Sequence, residues 1–576
     1  MRLTLSLLSS AIQKRPFYIT TPIFYVNAAP HLGHLYTAVV ADAVQRFEKL
    51  TNLHLNVIFS TGTDEHGTKI QQAAAKAELP PAQYCDNLSR EYRDLFRDFE
   101  VEYTDFVRTT EDRHKKAVNH FWRKLKDEDY IYKAKYAGWY SVNDEAFVPE
   151  AHTRTDITPE GKIRISVESG HKLEWTEETN YMFRLSAFKT HLQRWLETDG
   201  VIQPAKFQRQ LLEYLSSETY FPDISVSRPA ERVHWAIRVP DDDTQSIYVW
   251  LDALVNYLTV TGYPDEDVMK SRGRPWPADL HVVGKDILKF HGIYWPAFLM
   301  AARWHPPRRL LVHSHWTVDG GKMSKSLGNT VCPKTVPAPH ALRYMLLREA
   351  TMADDANYSE TKFINIANSE LADTLGNLVA RSCGSVLNPR GERPPLHTCT
   401  PPSGATHTQE HSLFLYSHNP VGRKTDTAGE RSGAGPTFYM PIRHTCYDHY
   451  KNYQFYKAVD AVIKVLHLTN GFFESSKPWE LKKRPECQKD LDLVLHITLE
   501  TVRICAIILQ PVIPELTKRI LDKLMVPDDS RYWHNLQPTW SINGAIVEAK
   551  KIEGGKFVLF PRIYKDKKNV QKKATA

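Results

Sequence analysis

Cysteine is sparse and never paired. The seven in 576 residues stand at 85, 332, 383, 399, 446, 487 and 505, with no C-x-x-C among them. An odd, scattered set in so long a chain argues against a disulfide scaffold and suits a reducing compartment. No apolar run approaches the roughly 20 residues a membrane helix needs, so no membrane partner is expected. Acidic residues are missing from the start of the chain: none precedes Asp42, while Arg2, Lys14 and Arg15 are basic and Ser6, Ser9 and Ser10 lie among Leu3, Leu5, Leu7, Leu8 and Ile12. Such a leader predicts mitochondrial targeting over 1–15 and a matrix location. A secretory signal is the competing reading, but no clear small-residue cleavage site follows. What is present is ordinary: 42% apolar and 24% charged residues describe a globular protein of three or four domains. The net charge of +7 suits a nucleic-acid partner without requiring one.

Phe17 to Val26 reads as a β-strand, followed by an Asn-Ala-Ala-Pro turn and a helix-like stretch from Leu32 to Leu50. A second buried strand over Leu55–Thr61 and a helix from Glu65 follow. This alternation opens a Rossmann-like α/β domain with a parallel sheet, and it resumes near His281–Gly284 and Leu310–Ser314. The expected organisation is a first catalytic half over 16–129, an inserted module over 130–226, and a second half over 227–345. A linker and first helix over 346–383 lead to an all-α domain over 445–576. Ile364, Ala367, Leu371, Leu375 and Leu378 recur at helical spacing, as do Phe455, Ala458, Val459, Val462 and Leu466, with Asn470-Gly471 a candidate stop. Between these runs, residues 384–444 are dense in Pro, Gly, Thr and His without periodicity, which predicts disorder.

Two short strings carry chemistry. His31-Leu32-Gly33-His34 sits where the first strand hands over to a helix, whose N-terminus favours phosphate. The histidines can donate to phosphate oxygens, and Gly33 leaves room for a nucleotide. Lys322-Met323-Ser324-Lys325-Ser326, preceded by Gly320-Gly321, offers two lysines three apart on a loop able to close over a triphosphate. Taken alone, each string also reads as satisfied surface polarity.

In this order, about 290 residues apart, the strings resemble the HIGH and KMSKS signatures of class I aminoacyl-tRNA synthetases. A nucleotidyltransferase, which shares the first turn, is the nearest alternative; a non-catalytic tRNA-binding protein would be expected to lack intact signatures. Thr20-Thr21-Pro22-Ile23-Phe24-Tyr25-Val26-Asn27, Gly62-Thr63-Asp64-Glu65-His66-Gly67, Tyr248-Val249-Trp250-Leu251-Asp252-Ala253 and Gly284-Lys285-Asp286-Ile287 narrow the resemblance to methionyl-tRNA synthetases of the mitochondrial type, over roughly 17–382 and 448–515. The resemblance implies a ligase that activates L-methionine with ATP and loads methionine tRNA. It implies phosphate contacts from His31, His34, Lys322 and Lys325, and an ATP site that includes Gly33, Gly284, Asp286 and Ser324. It implies a methionine pocket of Ile23, Tyr25, Trp250, Ala253, Leu254, Tyr257, His291 and Tyr294, with Asp64 pairing the α-ammonium. Aromatic walls suit a polarizable thioether. Asn377 and Arg381, one helical turn apart, and Trp479 match its anticodon contacts.

Two departures stand out. Many relatives carry zinc-binding cysteine pairs in the inserted module, whereas this chain has no cysteine between Cys85 and Cys332. A cysteine knuckle is therefore excluded, and Mg²⁺ accompanying ATP is the only metal expected. The family's helix before Asp448 is expected to be missing, replaced by the Pro/Gly-rich stretch. A monomer is expected.

Overall fold

In the computed structural model, the alternating stretches build a six-stranded sheet in which every pairing is parallel. The structure describes residues 15–141, 146–148, 150–158, 161–167, 169–216, 221–318, 320–322, 330–395, 439–538 and 548–564. Residues 1–14 of the targeting leader expected over 1–15 lie outside them. Two compact units divide the chain: the first comprises residues 1–41, 55–315 and 352–354, and the second 42–54, 316–351 and 355–576.

In the first unit the strand order is Asp105–Arg108, Val57–Asp64, Phe17–Tyr25, Leu280–Gly284, Leu310–His313 and Ile202–Gln203. Phe17–Tyr25 is central: the chain winds outward on one side through Val57–Asp64 and Asp105–Arg108, then resumes on the other. Such a reversal opens a crevice at the carboxyl ends of the two middle strands. Val57–Asp64 is buried almost continuously, as expected of a parallel strand covered on both faces. At Gly62 a Cβ would lie 1.9 Å from the Val107 carbonyl oxygen, so only glycine admits the neighbouring strand there.

The inserted region is an antiparallel sheet, led by the long pair Ile131–Ser141 and Lys172–Phe183 in register from Ile131↔Phe183 to Tyr140↔Glu174. One correction concerns its extent. Ile202–Gln203, inside the expected 130–226 module, is the edge strand of the parallel sheet, and Leu192, Leu196, Phe207 and Leu211 around it join the main core. A two-residue strand has no periodicity to read, so only its partner Leu310–Leu311 reveals it.

The second unit is mostly helical. Residues 316–351 belong to it rather than to the catalytic half expected over 227–345. Trp316–Val318 pairs in parallel with Ala356–Tyr358, and buried Arg343, on helix Pro339–Glu349, donates to the Val512 and Pro511 carbonyls and to Asp42. Helix Phe455–Ser475 runs through the expected stop at Asn470-Gly471: the Asn470 side chain donates to the Thr374 and Leu466 carbonyls, keeping it inside the helix. The segment expected to be structureless over 384–444 narrows at both ends. Glu392–Arg393 pairs with Lys550–Lys551, and a helix spans Tyr439–Lys451, supplying the element expected to be missing before Asp448. Cys446 and Tyr450 on it are buried, with the Tyr450 hydroxyl donating to the Ile508 carbonyl; burial against this helix outweighs weak local propensity. Residues 396–438, the rest of that expectation, lie outside the described ones. Among the described residues no helix is long and apolar enough to cross a membrane.

Candidate active site

Most of the residues expected to hold an amino acid pack together in the first unit. Ile23, Ala253, Leu254 and Tyr257 belong to one apolar cluster, with Trp250 and Tyr294 packed against it. Trp250, Ala253, Leu254 and Tyr257 lie at i, i+3, i+4 and i+7 on helix Val249–Thr259, hence on one face. Trp250 stacks on Phe290 with ring centroids 3.6 Å apart. His291 joins through Tyr257: its Nδ1 lies 2.9 Å from the Ile287 carbonyl and its Nε2 2.7 Å from the Tyr257 hydroxyl. A carbonyl only accepts, so Nδ1 carries the proton and Nε2 accepts from the tyrosine. Burial holds His291 down to about 4, neutral at physiological pH. Residues Phe290–Tyr294 form a π-helical turn, an irregularity frequent at functional sites.

Tyr25 and Asp64 face each other across the neighbouring strands. Asp64 is buried, and its carbonyl accepts from the Val26 amide at 3.1 Å. The turn it opens is braced by groups far away in sequence. Buried Glu65 accepts from Arg108 through Nε at 2.7 Å and Nη2 at 3.0 Å, and from the hydroxyls of Thr63 and Thr110. The Trp235 indole donates to the Glu65 carbonyl at 2.6 Å, and the Gly67 amide donates to the Trp235 carbonyl.

At the first signature, helix Leu32–Thr51 begins directly after His31. The His31 and His34 rings stack 3.7 Å apart. The Gly33 amide donates to His31 Nδ1 at 3.1 Å, and the His31 amide to His34 Nδ1 at 3.2 Å. With Nδ1 accepting in both rings, each keeps its proton on Nε2, the nitrogen able to donate to an anion. A Cβ on Gly33 would approach the His31 ring to 3.0 Å. Buried His313 ties this turn to Gly284: its Nε2 lies 2.8 Å from the Thr37 hydroxyl, and a Cβ on Gly284 would meet its ring at 3.5 Å. Burial also lowers His313 to about 4. Asp286, just after Gly284, is exposed and lies 3.5 Å from His315 Nε2.

The remaining predicted residues belong to the second unit. Lys322 ends a tight hairpin, with Thr317↔Lys322 in register and Gly320 at φ +82° making the turn. Asn357 clamps that turn by accepting from the Gly320 amide at 2.9 Å. The Lys322 side chain, Ser324 and Lys325 lie outside the described residues. Arg381 sits over the rings of Phe473 and Trp479, at 5.0 and 5.6 Å, and pairs with Glu474. Asn377 is exposed one turn earlier on the same helix.

Reading the sequence alone missed the supporting groups His313, Arg108 and Trp235, which fall in no quoted motif and carry no local signal.

The sequence and the architecture match those of known proteins. The family model "tRNA synthetases class I (M)" matches residues 17–383, and "Anticodon binding domain of methionyl tRNA ligase" matches 441–573. The mitochondrial methionine–tRNA ligases of Bos taurus and Homo sapiens are each 45% identical, over 95% of this chain and 90% of theirs. Among solved structures, Mycobacterium tuberculosis methionyl-tRNA synthetase in complex with methionyl-adenylate aligns with a TM-score of 0.81 at 34% identity, covering 95% of this chain and all of that one.

Proposed function

The chain belongs to the methionyl-tRNA synthetases of class I, mitochondrial type, and from that premise we propose how its residues divide the work. The enzyme activates L-methionine with ATP to methionyl-adenylate and transfers the methionyl group to methionine tRNA in the mitochondrion.

The observation that supports the assignment of residues is that Tyr25 and Asp64 close neighbouring strand ends while Ile23, two residues before Tyr25, packs in one cluster with Ala253, Leu254 and Tyr257. Methionine lies with its side chain against Ile23, Trp250, Ala253, Leu254, Tyr257 and Tyr294, and with its α-ammonium on Asp64. A neutral His291 holds the Tyr257 hydroxyl in one orientation. The carboxylate is already a nucleophile and attacks the α-phosphorus in line, so catalysis is positioning and charge neutralisation. His31 and His34 donate Nε2–H to phosphate oxygens; Lys322, Ser324 and Lys325 serve the triphosphate; Gly33, Gly284 and Asp286 take the adenosine. Among the described residues no group of three or more His, Cys, Asp or Glu is placed to hold a metal ion, and Mg²⁺ would arrive on ATP with phosphate and water ligands. Bound there, Mg²⁺ would neutralise pyrophosphate charge; with no cysteine between Cys85 and Cys332, no structural zinc is proposed. Asn377, Arg381 and Trp479 read the anticodon, and the enzyme works in the matrix as a monomer.

Methionine-dependent ATP–pyrophosphate exchange, measured beside charging of methionine tRNA, tests this. Asp64→Asn should raise KM for methionine roughly 100-fold, as loss of a buried charge pair does, with KM for ATP little changed. An unchanged methionine KM would remove Asp64 from the site.

A further inference from the structure

One buried polar cluster has no part in the chemistry above. Asp252 lies on helix Val249–Thr259, two residues past Trp250 and so about 200° around the helix from it. Its Oδ2 accepts from His66 Nδ1 at 2.7 Å and its Oδ1 from His114 Nε2 at 2.8 Å. All three groups are buried. His114 stands on helix Asp112–Asp127, and its Nδ1 lies 2.9 Å from the Thr259 hydroxyl at the far end of the Asp252 helix. His66 lies two residues past Asp64, in the turn braced by Trp235.

A desolvated carboxylate is costly in an apolar core and contributes little net stability even when paired. What it adds over an apolar side chain is direction, since hydrogen bonds tolerate little sliding where packed methyl groups tolerate more. The two histidines pull Asp252 to about 2 against the upward push of burial, so the carboxylate stays ionised. Through Oδ2 it therefore ties together two parts of the pocket that are far apart in sequence, the Asp64 turn and the helix whose opposite face carries Trp250 and Tyr257, while Oδ1 is held by His114. Trp250 is only half-buried and rests on Phe290, so where its ring stands depends on how that helix is held.

We propose that His66, Asp252 and His114 are positioning residues for methionine: the His66–Asp252 bond keeps the α-ammonium partner and the aromatic wall of the pocket at a set separation, and His114 holds the carboxylate for it. The proposal rests on the pocket assignment made above. It predicts an effect on methionine binding that ATP binding does not share.

The test is steady-state ATP–pyrophosphate exchange on the full chain. His66→Ala should raise KM for methionine roughly tenfold, the cost of a hydrogen bond to a charged group, with kcat and the ATP KM within about twofold. In His66→Asn the side-chain amide takes the place of Nδ1 and should restore most of the methionine KM; His66→Gln, with its donor displaced, should not. Asp252→Asn should match His66→Ala, and the double variant should be no worse than either single one. A methionine KM unmoved by His66→Ala while Asp64→Asn raises it would overturn the bridge and leave the pocket standing. If Asp64→Asn moves nothing, the pocket assignment fails first. Equal rises in both KM values with a lowered Tm and no rescue by asparagine would mark the cluster as structural only, and would also overturn the proposal.

Discussion

In the first unit, polar groups are sunk in the core: Asp252, His281, His291 and His313 are all buried, and each histidine holds a defined partner through at least one ring nitrogen. On the helical unit, Asn377 is exposed, Arg381 and Trp479 are partly so, and the guanidinium rests on aromatic faces. The contrast matches the ligands proposed for each. A free amino acid offers little area, so selection needs a dry, preformed site in which each unpaired group is costly. Unstacked bases bring large faces and many edges, and an exposed platform with a cation beside it recognises them by stacking and hydrogen bonds. On that proposal, one site uses desolvation for selectivity and the other keeps its groups accessible.

The largest effect that would sharpen this contrast is on stability against pH. Burial holds His291 and His313 near 4 and His281 far below its usual 6.5. Their folded values lie below the unfolded one, so the stability they contribute is complete above about 6.5 and falls as pH drops toward 4, at about 1 kcal/mol per pH unit for each histidine. The Tm of the catalytic unit should therefore fall steeply between pH 6.5 and 5, with hydrogen exchange rising first in its central strands. A flat Tm over that range would break the comparison.

Next in size, Trp479→Ala and Arg381→Ala should each lower kcat/KM for tRNA charging by roughly 10–100-fold through lost stacking and cation contact. Pyrophosphate exchange should be unchanged. A matching fall in exchange would show that these residues serve folding rather than recognition.

The smallest effect concerns Gly471. It sits inside helix Phe455–Ser475 with nothing within 4 Å of where a Cβ would stand. Gly471→Ala should thus stabilise the helical unit by about 0.5–1 kcal/mol, read as a rise in Tm, and leave both exchange and charging alone.

Part of the proposed pocket is legible in the order of the amino acids: Trp250, Ala253, Leu254 and Tyr257 share a face because helical spacing puts them there. The strand expected to end at Thr61 instead runs on to Asp64, where pairing with its neighbours carries it past the apolar run. Less is legible at Ile202–Gln203, which is too short to show a period, and at Tyr439–Lys451, where a weak local pattern becomes a helix through burial. The partners of Asp252 and Glu65 are invisible there, since His66 and Arg108 lie 186 and 43 residues away from them.

By itself the sequence determined the strand–helix alternation, the two signature strings and the residue types suited to methionine, because periodicity and local motifs are properties of neighbouring residues. Tertiary structure alone decided which nitrogen of each histidine donates, which carboxylate lies between two imidazoles, and which short segments become strand or helix. Those outcomes depend on partners brought close only by the fold, where burial makes every polar pairing expensive to leave unmade.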